Sequence, residues 1–273
     1  MDPVVRAALA EDLGRAGDLT TDALIDPDAR ASGAIRARRA GRVAGVAAAR
    51  LAFELLDPAV RVTVWADDGT PVAAGATILR LDGPARALLT GERVALNLLG
   101  HLSGIATATA DLVAAVAGTG AAIADTRKTT PGLRALEKAA VRAGGGRNHR
   151  FGLDDAVLIK DNHIQLAGGP AEAVRRARAA VGHLVKIEVE VDTLDQLAAV
   201  LPEGPDAVLL DNMDVHSLRT AVARIDGRAV AEASGTVTLE SAPAIAATGV
   251  DLISAGWLTH SAPALDVGLD FDA

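Results

Sequence analysis

The chain contains no cysteine and no tyrosine, and aromatic residues make up only 2% of its 273 residues. Without cysteine it has no disulfide, no thiol nucleophile and no cysteine-ligated zinc or iron–sulfur site. The shortage of aromatic rings leaves few platforms on which nucleic-acid bases could stack. Zero cysteine is compatible with a reducing compartment, and we predict a cytoplasmic protein.

Positive charge and long apolar runs are also scarce. Lysine and arginine number 27 against 35 aspartate and glutamate residues, a formal net charge of −8. Nucleic-acid-binding proteins usually carry a basic surface, so no nucleic-acid partner is expected. No apolar run reaches the roughly 18 residues that cross a bilayer, and the N-terminus lacks a signal-peptide pattern, so no membrane partner is expected.

Two patterns divide the chain near Ala121. Before it, short mixed segments precede a long helical stretch that begins after Pro84, in which Gly100 and Gly104 mark places where the helix could break. After it, six short apolar runs alternate with helical segments, which is typical of βα units around a parallel sheet. The runs cover residues 121–125, 155–160, 185–191, 206–211, 229–234 and 250–256.

Polar residues end all six runs. An open doubly wound sheet concentrates its site at one switch point, whereas a barrel gathers its site from many strand ends. The pattern therefore favours a barrel. The basic residues Arg127, Lys128, His149, Arg150 and Lys160 flank the first two runs and suit an anionic ligand. The alternative, purely structural interpretations are a solvated loop after the first run and a glycine-rich helix cap at residues 144–152.

Acidic residues follow on the next runs. Lys186, Glu188 and Glu190 alternate along one strand, so they share one face, which we predict points into the barrel. Lys160 either meets an anion or forms an ion pair with Glu188 or Asp211. Glu190 and Asp211 are hard oxygen donors that suit Mg²⁺, bound through water.

The last two runs end in small residues, in the motifs EASG (residues 232–235) and SAG (residues 254–256). Hydroxyl and exposed N–H groups there can hold a phosphate, a recurrent use of late loops in barrels. Tight strand-to-helix turns are the alternative interpretation.

Several long motifs resemble one family over essentially the whole chain. In order, they are LNLLGHLSGIAT, DTRKTTPGLRALEKAAVRAGGGRNHRFGLDDAVLIKDNH, EVEV, LLDN, EASG and TGVDLISAGWLTHSAPALD. They are similar to the quinolinate phosphoribosyltransferases. The resemblance implies an N-terminal α/β sandwich domain at residues 1–106, joined by the C-terminal segment 264–273. It further implies an incomplete α/β barrel of six or seven strands at residues 107–263.

The family's reaction is a pentosyl transfer of de novo NAD biosynthesis. It joins quinolinate to phosphoribosyl pyrophosphate with Mg²⁺ and no organic cofactor, and releases pyrophosphate and CO₂ to give nicotinate mononucleotide. The resemblance implies a homodimer or a hexamer in which Arg93 reaches the site of a neighbouring subunit. The resemblance implies that quinolinate is bound by Arg93, Arg127, His149, Arg150 and Lys160. It implies that Lys128 and Lys160 hold the pyrophosphate-bearing substrate and act in catalysis, and that Glu190 and Asp211 bind substrate near the ribose and Mg²⁺ and also act in catalysis. The implied 5′-phosphate site consists of Ser234, Gly235 and Gly256.

One departure and two alternatives qualify this expectation. Gly100-His101 stands where the family pattern has glutamine and a variable residue, which predicts a looser helix rather than different chemistry. The alternatives are a paralogue of the same fold associated with molybdenum transport and a non-catalytic barrel that binds an anion. Arg127, His149, Arg150 and Lys160 favour the quinolinate enzyme over the paralogue, because they suit a dicarboxylate. Glu190 and Asp211 favour an enzyme over a binding protein, and release of CO₂ from quinolinate would distinguish the quinolinate enzyme.

Overall fold

The computed structural model describes residues 1–272, and their regular structure follows the predicted alternation. The helices are Asp2–Leu13 (α1), Leu19–Leu24 (α2), Val46–Glu54 (α3), Ala85–Ala115 (α4), Arg134–Ala143 (α5), Asp161–Ala167 (α6), Pro170–Ala180 (α7), Leu194–Val200 (α8), Val215–Ile225 (α9), Ala242–Ala246 (α10) and Trp257–His260 (α11). The strands are Arg30–Ala37 (β1), Gly41–Arg42 (β2), Arg61–Val64 (β3), Pro71–Val72 (β4), Thr77–Pro84 (β5), Ala122–Ala124 (β6), Val157–Ile159 (β7), Ile187–Val191 (β8), Ala207–Asp211 (β9), Val230–Ser234 (β10), Leu252–Ser254 (β11) and Val267–Phe271 (β12). Each of the six predicted runs contains one strand.

The chain forms two compact units. The first comprises residues 1–110, 129–145 and 257–272, and the second comprises residues 111–128 and 146–256. In the first unit, β12, β1, β5 and β3 form an antiparallel sheet in that order. Ile35 of β1 lies opposite Leu79 of β5 and Leu269 of β12. Its face of the sheet packs with buried residues of α1, α3 and α4, among them Phe53 and Leu99, which makes an α/β sandwich.

Helix α4 is continuous, so the predicted break at Gly100 or Gly104 is wrong. These glycines instead admit the segment that precedes β12. Leu265 N–H donates to the Gly100 carbonyl at 2.9 Å, and a Cβ on Gly104 would collide with the Pro263 carbonyl. The helix is long and apolar enough to cross a membrane, but 56% of its most apolar window is buried within the protein. That burial is typical of a core helix.

Helix α5 belongs to the first unit, although it lies between the first two βα strands in the sequence. A Cβ on Gly144 would meet the Ala106 carbonyl and Thr109 of α4, and His101 Nε2 lies 2.8 Å from Glu137 Oε1. Gly145 adopts a positive φ of 90° just beyond the helix. The glycine run thus ends a helix and allows close packing, in agreement with the helix-cap interpretation.

The second unit is built on a parallel sheet in the order β6, β11, β10, β9, β8, β7. Over the described residues β6 and β7 remain edges, so the barrel is incomplete. Arg147 forms an isolated parallel bridge with Ala124 of β6, so a single residue stands where a seventh strand would lie. Since all strands are parallel, their carboxyl ends lie at one end of the sheet, where polar side chains can converge.

Candidate functional site

A cavity of about 360 Å³ lies at the carboxyl ends of the second unit's strands. Each of the six strands, or the residues directly after it, contributes to its wall. The lining residues are Thr126, Arg127, Lys128, His149, Arg150, Leu158, Lys160, Glu190, Leu209, Asp211, Glu232, Ser234 and Ser254. The fold thus brings together residues that are up to 128 positions apart in the chain, from Thr126 to Ser254.

Most of the predicted site residues line this cavity. They are Arg127, Lys128, His149, Arg150, Lys160, Glu190, Asp211 and Ser234. Gly235 and Gly256 adjoin two of its serine-bearing strand ends. Arg93 lies on α4 in the first unit, where it lines a separate cavity with Asp12, Asp18 and Thr90. Its predicted role across a subunit interface stays a prediction.

A buried aspartate shapes the basic side of the cavity. Asp125, which is fully buried, accepts hydrogen bonds from His149 N–H at 2.9 Å and from Asn148 Nδ2 at 2.6 Å. These bonds hold residues 148–149 beside the end of β6, close to Arg127. Asp125 ends the first predicted run, and its sequence pattern alone indicated no role for it.

Arg150 is prepared for an anion. Its Nη1 donates to the Ala156 carbonyl at 3.0 Å, which fixes one side of the guanidinium. Its Nε is buried and has no acceptor among the described residues. Burial, and then the neighbouring Arg127 guanidinium, lower the pKa of Arg150. An anionic ligand would supply the missing acceptor and relieve the repulsion between the two cations.

Lys160 pairs with Glu190, with Nζ and Oε2 2.7 Å apart. The predicted partners, Glu188 and Asp211, are therefore wrong. The strand register explains the difference: Ile159 of β7 lies opposite Val189 of β8, which places Lys160 beside Glu190.

Lys186 does not point into the barrel as predicted. It immediately precedes β8, its side chain is 78% exposed, and its Nζ lies 2.7 Å from Asp206 Oδ1. Alternation assigned Lys186 to the same face as Glu188 and Glu190. The interior face, however, begins only where β8 is paired with its neighbours on both sides.

A buried cluster at the base of the cavity joins His149 to two acids. His149 Nε2 lies 2.8 Å from Glu188 Oε2 and 3.7 Å from Glu232 Oε2. Glu232 is 1% exposed. Burial, and then the adjacent Glu188 carboxylate, raise the pKa of Glu232 to about 7. Glu188 belongs to the alternating pattern of β8 and Glu232 to the EASG motif, but neither sequence pattern indicates that these acids meet His149.

A second acidic cluster supplies hard oxygen donors. Single carboxylate oxygens of Glu190, Asp192 and Asp211 lie within 4.8 Å of one another. Asp192 was not predicted as a ligand. Asn212 Nδ2 donates to Asp211 Oδ2 at 2.7 Å and so orients that carboxylate. This donor set fits Mg²⁺, which prefers oxygen ligands and retains several waters.

The two glycines predicted to bind the 5′-phosphate, Gly235 and Gly256, have steric roles. Gly235 has a φ of +129°, and a Cβ there would collide with the Asn212 side chain. A Cβ on Gly256 would lie 2.8 Å from Lys128 Cδ, so the lack of a side chain gives Lys128 its path.

Comparisons with known proteins identify the family of this chain. A model of the quinolinate phosphoribosyl transferase N-terminal domain matches residues 18–103, and a model of its C-terminal domain matches residues 105–270. The nicotinate-nucleotide pyrophosphorylase (carboxylating) of Mycobacterium leprae is 48% identical over 271 residues, 97% of this chain and 95% of that protein. The probable enzyme of the same name from Bacillus subtilis is 47% identical over 260 residues, 95% of this chain and 89% of that protein.

A solved structure extends the likeness to three dimensions. The nicotinate-nucleotide pyrophosphorylase of Ehrlichia chaffeensis superposes with a TM-score of 0.96 at 38% identity, over 100% of this chain and 98% of that chain. The two family models together cover nearly the whole chain, and the relatives and the solved structure match it over nearly their full length. This chain belongs to the quinolinate phosphoribosyltransferase family.

Proposed function

We propose that this chain is a carboxylating nicotinate-nucleotide pyrophosphorylase. It transfers the phosphoribosyl group of phosphoribosyl pyrophosphate to quinolinate and releases pyrophosphate and CO₂, a pentosyl transfer of de novo NAD biosynthesis. The observation that carries the proposal is one cavity whose lining combines basic residues, here called the basic wall, with the acidic residues Glu190 and Asp211, here called the acidic wall. This arrangement suits a dicarboxylate beside a second, phosphorylated substrate.

The basic wall binds quinolinate. Arg127, His149, Arg150 and Lys160 line it, and an arginine fork can bind a carboxylate through two parallel hydrogen bonds. The buried Nε of Arg150 needs an acceptor that the described residues do not supply. Two carboxylates on one aromatic ring match this surplus of donors, whereas nicotinate would satisfy fewer of them.

The acidic wall and the late strand ends bind phosphoribosyl pyrophosphate. Glu190 and Asp211, now joined by Asp192, would hold Mg²⁺, which when bound neutralises the charge that develops on the leaving pyrophosphate. Lys128 contributes a further cation on that side. Ser234, with Gly235 and Gly256, receives the 5′-phosphate, and Glu190 and Asp211 stabilise the positive charge that develops at C1 of the ribose.

The reaction then needs positioning more than covalent help. The ring nitrogen of quinolinate forms a bond to ribose C1 as the C1–oxygen bond to pyrophosphate breaks. The resulting pyridinium carries positive charge beside the 2-carboxylate. The C2–carboxyl bond breaks, the electron pair stays at C2 next to the cationic nitrogen, and a proton then replaces CO₂. Residues that hold the two substrates in line contribute most of the rate.

The working form of the protein is the second part of the proposal. We expect a cytoplasmic homodimer or hexamer in which Arg93 of one subunit reaches the quinolinate site of another. The support is that Arg93 lies outside the cavity of its own second unit. An Arg93→Ala variant mixed with a Lys160→Ala variant tests this, because mixed dimers would regain one intact site.

The main test is an assay of the purified protein with quinolinate, phosphoribosyl pyrophosphate and Mg²⁺. Nicotinate mononucleotide and CO₂ should form together, and nicotinate in place of quinolinate should give no CO₂. Lys160→Ala should lower kcat/KM by about 10²-fold or more. Lys186→Ala is the matched control, since this lysine also pairs with an acid at 2.7 Å but lies outside the cavity. No product from folded wild-type protein would overturn the proposal.

A further inference from the structure

We propose that Glu188 is a positioning residue that holds His149 in a single neutral tautomer and, through it, sets Arg150 in the quinolinate site. The inference rests on the proposed function. Glu188 lies below the cavity wall and is not among the residues that line it. It is buried, and its Oε2 lies 2.8 Å from Nε2 of His149, which lines the cavity.

Two contacts of the His149 ring indicate where its proton lies. The backbone N–H of Arg150 points at His149 Nδ1 at a distance of 2.8 Å. An N–H can only donate, so Nδ1 must be an acceptor and carries no proton. The ring proton is therefore on Nε2, and it is donated to Glu188 Oε2 at 2.8 Å. An imidazolium would set two N–H groups against each other at Nδ1.

The same tautomer decides against a metal at this cluster. His149, Glu188 and Glu232 bring one nitrogen and two oxygens within 4.8 Å of one another, a combination that can bind Zn²⁺. Metal binding through Nε2 would leave the ring proton on Nδ1. That proton would point at the Arg150 N–H, which donates to Nδ1 in this structure, so two N–H groups would oppose each other. The cluster thus serves orientation rather than coordination.

The consequence reaches the substrate through Arg150. His149 Nδ1 fixes the Arg150 backbone, and the Ala156 carbonyl fixes Nη1 at 3.0 Å. The remaining buried Nε–H is left for a ligand. A change at Glu188 should therefore weaken quinolinate binding and leave the phosphoribosyl pyrophosphate site, which is built on other residues, nearly intact.

The experiment compares Glu188→Ala with Glu188→Gln in the intact enzyme. Glu188→Ala should raise the KM for quinolinate about tenfold or more and change the KM for phosphoribosyl pyrophosphate less than twofold. The amide oxygen of glutamine can still accept the Nε2 proton, so Glu188→Gln should recover most of the loss. Thermal unfolding of both variants shows whether a fall in activity is merely a fall in stability.

Nitrogen NMR of histidine-labelled protein gives a readout that is independent of turnover. A His149→Asn variant identifies the His149 signals. Wild type should show a protonated Nε2 and an unprotonated Nδ1, and Glu188→Ala should shift the ring toward a mixture of tautomers. A protonated Nδ1 in wild type, or a Glu188→Ala variant with unchanged tautomer and unchanged KM for quinolinate, would overturn the inference.

Failure of the proposed function would look different. If the wild type forms no product, calorimetric titration with quinolinate replaces KM as the binding measurement. If quinolinate does not bind either, the proposed function is wrong, and the NMR comparison of wild type with Glu188→Ala alone decides whether Glu188 positions His149. Loss of the Nε2-protonated ring in Glu188→Ala would then support the positioning role, and retention of it would refute that role.

Discussion

Two polar side-chain pairs in this molecule have similar distances but different surroundings. On the outer face of the first unit's sheet, Arg38 pairs with Asp270 at 2.6 Å, with both side chains about two-fifths exposed. In the second unit, His149 and Glu188 are 2.8 Å apart, and their side chains are only 13% and 11% exposed. Distance alone therefore does not separate a solvated pair from a functional one.

The difference lies in what surrounds the charges. Water screens the exposed pair and solvates each partner when the pair breaks, so such pairs contribute little. Around the cavity, burial lowers the pKa of Arg150 and raises that of Glu232, and the buried Nε of Arg150 has no acceptor among residues 1–272. Keeping groups in this state without a ligand costs free energy, and groups of this kind are typical of active sites.

The largest expected effect is on an arginine of the cavity. Arg150→Ala should lower kcat/KM for quinolinate by about 10²–10³-fold, because it removes a charged donor from a buried carboxylate. Arg38→Ala is the matched control on the outer sheet and should keep wild-type kinetics. Wild-type efficiency in Arg150→Ala, measured by steady-state assays, would remove the main support for the quinolinate assignment.

A smaller effect is expected in the pH dependence of the free energy of unfolding. The pKa of Glu232 is raised from 4.5 to about 7. Between these values the unfolded chain has lost this proton while the folded chain keeps it. The contribution of Glu232 is therefore fully present below pH 4.5 and is lost as the pH rises through about 7. At 1.4 kcal/mol per unit of pKa, the loss is about 3 kcal/mol.

Chemical unfolding at a series of pH values tests this. Glu232→Gln keeps the shape of the side chain and cannot ionise, so its curve should lack the decline seen in wild type. Parallel curves from pH 4.5 to 7 would show that Glu232 is ionised in the folded state.

The smallest effect is expected for the exposed pair. Asp270→Asn should lower Tm slightly at low ionic strength, and the difference should vanish as salt screens the charge. Asp270 also faces Arg36, at 3.7 Å, so the variant tests two contacts at once. A fall in Tm that persists at high salt would indicate that the outer face contributes more than its exposure suggests.

The sequence predicted the strands well and the helix α4 less well. Each βα run combined a short apolar segment with a helical one, a local signal that burial in a parallel sheet reinforces. Glycines at Gly100 and Gly104 weaken a helix in isolation, and only the chain segment at residues 263–265 explains why α4 tolerates them. The packing of α5 with the first unit was likewise invisible, since it depends on contacts with α4.

Most site residues could be predicted, but their partners could not. Strand-end chemistry and the family motifs identified Arg127, Arg150, Lys160 and Glu190. Lys160 was assigned the wrong partner because only the register of β7 against β8 decides which acid it meets. Asp192 was missed because an isolated aspartate after a strand carries no signal of its own.

Composition, spacing and motif therefore determined the class of chemistry: an acidic, cysteine-free chain with repeated βα units and polar residues at every strand end. Those properties are local, and they can be recognised before the chain folds. The tertiary structure alone decided which charges meet and how far each is removed from water. Pairing and burial depend on residues far apart in sequence, and they convert ordinary arginines and glutamates into groups that need a ligand.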